Sequence, residues 1–336
     1  MTTFYHSSIE SGVAEYARQA ERWFERKFID RPAFEKRLRA GLHFMGHDEH
    51  AENKIELTRS LGMFSIELFQ AMICGGTSFK PMYVSVMWDR LFAAGVVFKA
   101  MAAMKGIPFA DHQIDEVRLL MHLRDATFAN LFASPARLPE RYKNAVVAVD
   151  VAKGGDRFRG TGFVVMNRKR PYFVSCKHNV DPSESIVVNT VTSASGQVLR
   201  LGPIKLSDRY DIATAALDSS IEGPCFALSE AVETFDEVFT LGYPYVPRAE
   251  PLLLGHRGEV NGRTNLYVEK CPALIISNLV SPGSSGGPVL SRDGHCVGMT
   301  INWLEGEWAE GEKETKMRFS AALPAELVRE AIEATP

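Results

Sequence analysis

The sequence predicts a multidomain α and β protein, with a helical half at residues 1–133 and a β-rich half at residues 143–336. In the first half, apolar residues recur at three- and four-residue spacing, which is the period of an amphipathic helix. In the second half, short β-branched runs are separated by Gly, Pro, Asn, Asp and Ser, a pattern typical of a β-barrel or sandwich. A chain of 336 residues is long enough for two such domains.

Five helices are predicted in the first half. The first ends near residue 28, and the other four span about 32–47, 51–74, 81–106 and 115–132. Val13, Ala17 and Ala20 begin an apolar stripe on the first helix, and Pro32 suits the first turn of the second. We therefore expect residues 1–133 to form an all-α helical bundle.

Three histidines in this half raise the alternative of a metal site. His43 and His47 are four residues apart, as on one helical face, and His50 follows them. No fourth ligand with recognisable spacing follows, and Asp48-Glu49-His50 is typical of a loop between helices. We expect no metal and no cofactor in this protein.

The helical pattern breaks at residues 134–142, where two prolines, a serine and several charges indicate a linker. At least eight short strand-like runs follow, between residues 144 and 278. Near the end, Pro324 opens a last helix at 325–334, whose apolar residues recur at helical spacing.

Composition excludes several classes of partner. A net charge of −3 provides no basic surface for nucleic acid or an anionic membrane. The first twelve residues lack the pattern of a signal peptide, and no apolar run is long enough for a membrane span. Five scattered cysteines without a CxxC pair fit a reducing compartment, so we expect a cytoplasmic protein.

The stretch Pro-Gly-Ser-Ser-Gly-Gly-Pro-Val at 282–289 is the strongest chemical signal. Glycines let the backbone approach a ligand closely, and such a turn can present a hydroxyl beside several backbone N–H groups. A serine nucleophile with an oxyanion hole needs this arrangement. The alternative is an ordinary Gly/Ser-rich hairpin loop, so a base and an orienting acid must be found elsewhere.

Three histidines lie in the β-rich half: His178, His256 and His295. His178 follows an apolar strand and is the best candidate for the base, whereas His256 lies in a Gly-rich hairpin and His295 in a turn after the serine strand. A buried carboxylate should orient the base. Asp211 enters an apolar run, whereas Asp208 and Asp218 have more polar neighbours.

The order His178, Asp211, Ser285 and its surrounding motifs resemble the chymotrypsin-fold serine peptidases, and among them the bacterial HtrA-like branch. The motifs are Gly-Thr-Gly-Phe-Val-Val at 160–165, Val-Ser-Cys-Lys-His-Asn-Val at 174–180, Asp-Ile-Ala at 211–213, Leu-Gly-Tyr-Pro at 241–244, Pro-Gly-Ser-Ser-Gly-Gly-Pro at 282–288, Val-Gly-Met at 297–299 and Phe-Ser-Ala-Ala-Leu-Pro at 319–324. The resemblance covers about residues 144–334 and none of the helical half.

This resemblance implies two six-stranded antiparallel β-barrels, at about 143–222 and 223–323, followed by the closing helix 325–334. Ser285 is then expected as the nucleophile, His178 as the general base and Asp211 as the residue that orients it. The backbone N–H groups of Gly283 and Ser285 are expected to form the oxyanion hole.

Two positions depart from the family pattern. Ser284 stands where digestive members carry an Asp that pairs with a newly cut N-terminus, so activation by that ion pair is not expected here. Ile301 stands where many relatives have a Ser or Thr that binds the buried Asp, although a one-residue shift would bring Thr300 into place.

The substrate pocket is expected to be uncharged and to accept a small or medium apolar side chain. The expected lining residues are Leu279, Val280, Thr300, Ile301 and Asn302.

The leading hypothesis is a serine endopeptidase that cleaves proteins or peptides. The first alternative is a catalytically silent scaffold, and the second is a conditional effector protease of bacterial stress or defence. We expect a regulatory protein or ligand to act at residues 1–133, and the sequence leaves the oligomeric state open.

Overall fold

The structure, a computed structural model, describes residues 2–49, 51–74, 81–99, 112–267, 269–303 and 319–335. The chain divides into two compact units, Met1–Pro135 and Ala136–Pro336. Most of the predicted linker belongs to the second unit, because Leu138 and Tyr142 are buried in its core. Among the described helices, none combines the length and apolar character needed to cross a bilayer.

Six helices are described in the first unit. They are α1 (Thr2–Ile29), α2 (Arg31–Phe44), α3 (Ala51–Leu61), α4 (Ile66–Cys74), α5 (Pro81–Ala93) and α6 (Glu116–Arg124). A 3-10 helix, Phe128–Phe132, follows α6. Asp30 and Asp115 cap α2 and α6, because their carboxylates accept backbone N–H groups at the helix start.

The first unit also contains strands that an all-α bundle would lack. The strands β1 (Met63–Phe64), β2 (Val97–Lys99) and β3 (His112–Ile114) form an antiparallel sheet in the order β1-β3-β2. Gly62 follows α3, and Gly95 follows α5, both with a positive φ that ends a helix. The predicted third helix is therefore split, and the predicted fourth ends at Ala93. Its predicted continuation to residue 106 lies partly outside the described residues.

The core of the first unit is built from large aromatic side chains. Trp23, Phe24, Phe34, Phe69 and Phe128 are all buried. The ring centroids of Trp23 and Phe34 are 4.6 Å apart, and those of Phe24 and Phe128 are 5.8 Å apart in an edge-to-face contact. Aromatic pairs of this kind stabilise a core beyond the area that they bury.

His43 lies in the last turn of α2, and its Nδ1 is 2.9 Å from Oδ1 of Asp48 in the predicted loop that follows. This contact pairs the imidazole with a carboxylate at an exposed position. His50, the third residue of the considered metal cluster, lies outside the described residues.

The second unit begins with the short helix α7 (Leu138–Arg141) and a six-stranded antiparallel sheet in the order β7-β4-β5-β6-β9-β8. The strands are β4 (Val146–Lys153), β5 (Asp156–Asn167), β6 (Arg170–Ser175), β7 (Ile186–Ser193), β8 (Lys205–Leu206) and β9 (Ala213–Ala216). Single bridges pair Val198 with Thr192 and Leu201 with Leu217, so residues 198–201 connect the two sides of this sheet.

A closed six-stranded antiparallel barrel follows, in the order β10-β11-β12-β15-β14-β13. Its strands are β10 (Glu237–Gly242), β11 (Leu254–Leu266), β12 (Cys271–Ile276), β13 (Pro288–Ser291), β14 (Cys296–Trp303) and β15 (Ser320–Pro324), and α8 (Ala325–Glu333) follows the last strand. The β-rich architecture with a C-terminal helix is therefore confirmed.

Candidate active site

A cavity of about 720 Å³ in the second unit brings the predicted triad residues together. His178, Asp211 and Ser285 all line it, together with Gly283. The first two come from the six-stranded sheet, and Ser285 comes from the turn before β13 of the closed barrel. The side chains that the sequence placed in one site thus share one cavity.

Strand pairing explains how His178 and Asp211 meet. His178 lies in a 3-10 turn, Lys177–Asn179, directly after β6. Asp211 lies two residues before β9, and β6 pairs with β9 so that Ser175 is opposite Ala213. Because the strands are antiparallel, the residue after one and the residue before the other emerge at the same edge.

The carboxylate of Asp211 makes two hydrogen bonds with His178. The Nδ1 atom of the imidazole lies 2.6 Å from Oδ2, and the backbone N–H of His178 donates to Oδ1 over 2.9 Å. An ionised carboxylate can only accept, so Nδ1 carries the hydrogen in this pair. In the neutral imidazole, Nε2 is then free to accept a proton.

Burial by itself lowers the pKa of His178, but the hydrogen bond and charge of Asp211, with a further contribution from Glu184, hold that pKa above its ordinary value. For Asp211, burial raises the pKa, whereas the hydrogen bond and charge of His178 outweigh burial and keep it low. An opposite charge stabilises the ionised form of each partner. Asp211 therefore stays ionised beside a histidine that is easily protonated.

Cys176 is a neighbour of this pair that the sequence analysis did not identify. Its Sγ and the ligand atoms of His178 and Asp211 all lie within 4.8 Å of one another. The thiol donates to the carbonyl of Thr300 over 3.4 Å. Burial, followed by the charge of Asp211, raises the pKa of Cys176 well above its ordinary value, so it remains a neutral thiol.

Cys176 has a position in the sequence that could have revealed it. It lies two residues before His178 in the same segment after β6, and it is followed along the chain by the residues of the 3-10 turn.

Thr300, which a one-residue shift would have paired with Asp211, instead donates its hydroxyl to the carbonyl of Ser284 over 2.8 Å.

The turn that carries Ser285 contains two glycines in the left-handed region. Gly283 and Gly286 have φ values of +93° and +87°. A Cβ at Gly286 would lie 2.2 Å from the carbonyl oxygen of Thr161, so only glycine fits there. Neither the Gly283 nor the Ser285 N–H donates a hydrogen bond to any residue that the structure describes. Both residues face the cavity, as donors of an oxyanion hole must.

The carbonyl of Ser285 is held on the opposite side of the turn. It accepts the backbone N–H of Thr161 over 3.1 Å and the Nδ2 of Asn179 over 2.9 Å. Asn179 Nδ2 also lies 3.1 Å from Ser175 Oγ. Asn179, the residue after His178, thus binds the serine turn directly.

Of the residues expected to line the substrate pocket, the cavity lining includes one. Ile301 lines the cavity, whereas Leu279 is 63% exposed and does not line it. Val280 and Thr300 are buried in the fold and also lie outside the lining, and the side chain of Asn302 is outside the described set. The lining instead includes Cys271, Leu323 and the charged Glu269.

For Thr300 and Ile301, the reason for this difference is the fold around β14. A bulge between Thr300 and Asn302 shifts the pairing of β14 with β15 by one residue. Thr300 then faces the serine turn, where its hydroxyl hydrogen-bonds the backbone of that turn, while Ile301 reaches the cavity. Spacing along the sequence does not reveal such a shift.

Comparison with known families supports the same assignment of fold. The family model of the trypsin-like peptidase domain matches residues 160–299. The second unit contains a trypsin-like peptidase domain. The match includes His178, Asp211 and Ser285 and none of the first unit.

Two curated relatives of the peptidase domain carry the name "Probable periplasmic serine endoprotease DegP-like". The protein of Chlamydia muridarum (strain MoPn / Nigg) is 27% identical over 155 residues, which is 45% of this chain and 29% of the relative. The protein of Chlamydia pneumoniae is 28% identical over 152 residues, covering 44% and 29%. The chain thus spans less than a third of the length of each relative.

A solved structure, that of the serine endoprotease from Yersinia pestis, is 20% identical to this chain with a TM-score of 0.45. The similarity covers 60% of this chain and 66% of that one.

Proposed function

We propose that the protein is a serine endopeptidase that cleaves protein or peptide chains through an acyl-enzyme intermediate. The observation that carries this proposal is the shared cavity, in which the His178–Asp211 pair, Ser285 and two N–H groups without described acceptors lie together. A general base, a nucleophile and oxyanion donors are the three components that acyl transfer requires.

In the proposed reaction, Ser285 Oγ attacks the carbonyl carbon of the scissile amide while His178 Nε2 takes the hydroxyl proton. The Gly283 and Ser285 N–H groups donate to the oxygen of the tetrahedral intermediate. The C–N bond then breaks, and the imidazolium gives its proton to the leaving amine. Water repeats the sequence on the ester and releases the acid, while Asp211 holds the imidazole in the required tautomer.

A fluorophosphonate probe tests the proposal, because it phosphonylates only a serine that is activated as a nucleophile. We expect stoichiometric labelling of the wild type, loss of labelling in Ser285→Ala, and full labelling in the matched variant Ser284→Ala. Mass spectrometry of the labelled peptide identifies the modified serine. A folded wild type that resists labelling would contradict the proposal and favour a catalytically silent scaffold.

We propose further that residues 1–135 control the peptidase or recruit its substrates, through a regulatory protein or ligand. Two observations support this role: the unit is compact with its own aromatic core, and the peptidase family match lies entirely outside it. A conditional effector protease of bacterial stress or defence would have this organisation.

The test compares full-length protein with the fragment 136–336, which keeps the buried Leu138 and Tyr142. We expect the fragment to lose the selectivity or the restraint of the full chain on a mixture of natural proteins. Equal rates and equal cleavage patterns would exclude the proposed control.

The compartment is also a proposal. Cys176, Cys225, Cys271 and Cys296 carry free thiols, which suits the reducing cytoplasm. The two curated relatives, in contrast, are named periplasmic proteins. Fractionation of cells that express the native chain, with antibody detection, separates the two compartments.

A further inference from the structure

The oxyanion turn, defined here as residues 282–285, contains three successive peptide units. The N–H groups of the first and third are the proposed oxyanion donors, at Gly283 and Ser285. Because a peptide unit is planar, a hydrogen bond to its carbonyl also fixes the direction of the N–H on its opposite side. Hydrogen bonds to the carbonyls of Pro282, Gly283 and Ser284 therefore determine where the N–H groups of this turn point.

Each of these three carbonyls accepts a hydrogen bond from outside the turn. The carbonyl of Pro282 accepts the N–H of Tyr245 over 2.8 Å. The carbonyl of Gly283 accepts the hydroxyl of Thr161 over 2.6 Å, and that of Ser284 accepts the hydroxyl of Thr300 over 2.8 Å. The carbonyl of Ser284 also accepts the N–H of Gly287 over 3.0 Å. Two of these four donors are thus threonine side chains.

Thr161, on β5 of the six-stranded sheet, donates two hydrogen bonds to the turn. While its hydroxyl donates to Gly283, it accepts the N–H of Tyr243 over 2.8 Å. Its backbone N–H donates to the carbonyl of Ser285. Thr161 therefore connects the serine to the segment 243–245, whose Tyr245 N–H fixes the first peptide unit.

Thr300, on β14 of the closed barrel, has the same function at the other end of the turn. Its hydroxyl donates to the carbonyl of Ser284 and accepts the N–H of Gly287 over 3.1 Å. Thr161 and Thr300 are 0% and 1% exposed. Loss of the Thr161 hydroxyl would leave the carbonyl of Gly283 without the donor described for it. Loss of the Thr300 hydroxyl would leave the carbonyl of Ser284 with the N–H of Gly287 alone.

We propose that Thr161 and Thr300 are positioning residues that hold the oxyanion turn in its donor geometry. This proposal rests on the proposed peptidase function. In this chain, neutral hydroxyls then hold the oxyanion turn in place. A charged contact at residue 284 could otherwise hold it, but Ser284 provides no carboxylate. Residues 1–135 are then not required to hold the oxyanion turn in its donor geometry.

The test replaces each threonine with valine, which has the same shape but no hydroxyl, in the full-length chain. We expect Thr161→Val and Thr300→Val each to lower kcat by about tenfold to a hundredfold, because a small displacement of an oxyanion donor costs about that much. KM should change by less than about twofold. The inhibition constant of a peptide aldehyde, whose adduct places an oxyanion in the hole, should rise in step with the loss of kcat/KM.

Three controls separate positioning from general damage. Thr161→Ser and Thr300→Ser retain the hydroxyl and should keep most of the activity. Thr214→Val removes another buried hydroxyl, which binds Thr335 away from the cavity, and should leave kcat unchanged. The pH midpoint of the labelling rate should stay constant in all variants, because none of them touches the His178–Asp211 pair.

Folded valine variants with kcat within about twofold of wild type would overturn the proposal, as would serine variants that lose as much activity as the valine variants. If a valine variant does not fold, the cysteine variant of the same residue decides by the same measurements, since a thiol is only a weak donor. If wild type itself is not labelled at Ser285, the peptidase function fails first and this proposal fails with it.

Discussion

The two units use their buried polar side chains in different ways. In the first unit, Thr58 bonds a carbonyl 4 residues away and Ser65 caps an N–H 3 residues away, so both serve their own helix. In the second unit, Thr161 bonds a carbonyl 122 residues away, and Asn179 one 106 residues away. These two hydroxyls of the first unit support local structure, and long-range polar contacts of that unit come from residues such as Lys27 and Arg37 instead. In the second unit, Thr161 and Asn179 join distant segments around one cavity.

The chemistry of the second unit should therefore be sensitive to single substitutions. In the second unit, removal of one side chain should change the geometry of several segments at once. In the first unit, a substitution in the aromatic core should change the stability of that unit and leave the chemistry at Ser285 unchanged. Four experiments test this contrast, beyond those given with the proposals.

The largest effect is expected for His178→Ala, which removes the proposed base. The rate of fluorophosphonate labelling should fall by about a million-fold, because a serine hydroxyl without its base is a weak nucleophile. The matched variant is His256→Ala, in which a histidine of β11 that does not line the cavity is lost. Equal labelling rates in the two variants would remove His178 from the site.

Asp211→Asn should lower the labelling rate by about ten-thousand-fold, because the imidazole loses the partner that fixes its tautomer. The base must be neutral, so the rate rises with pH through the pKa of His178. Asp211 raises that pKa and burial lowers it, so the rise should shift to lower pH in the variant. A pH profile of the labelling rate measures this shift, and a midpoint that does not fall would contradict the assigned role of Asp211.

Substitution of Cys176 should have a much smaller effect. Cys176→Ala removes the thiol beside Asp211 and its hydrogen bond to Thr300, and kcat should fall by about two- to fivefold, the equivalent of one weak hydrogen bond. Cys176→Ser, which keeps a donor at that position, should lose less. Steady-state kinetics on a peptide substrate would show the difference. A larger loss in Cys176→Ser than in Cys176→Ala would show that packing, rather than the donor, matters there.

The smallest effect on the site is expected for Phe24→Ala in the first unit. Loss of this fully buried ring should destabilise its unit by about 3–5 kcal/mol, which a denaturant titration would detect. Under native conditions, the labelling rate of Ser285 should stay unchanged. A changed rate in the folded variant would break the contrast and link the aromatic core to the activity of the peptidase domain.

Much of the second unit was predictable because its signals are local. The Gly-Ser turn at 282–289 and the strand before His178 are continuous in sequence, and they point to Ser285 as the proposed nucleophile and His178 as the proposed base without knowledge of the fold. In the first unit, the helical period was equally clear, but the strands β1, β2 and β3 were missed. Each has only two or three residues, too few for an alternation to be recognised.

By itself, the sequence determined the order of the two halves, the identity of His178, Asp211 and Ser285, and the glycines that let the serine turn form. The tertiary structure decided which side chains support that turn and which line the cavity. Thr300 changed from an expected pocket residue to a donor for the carbonyl of Ser284, and Leu279 lies on the surface. For Thr300, the physical reason is that strand register and a single bulge determine where each side chain of β14 lies, and a one-residue shift moves a side chain to the other face.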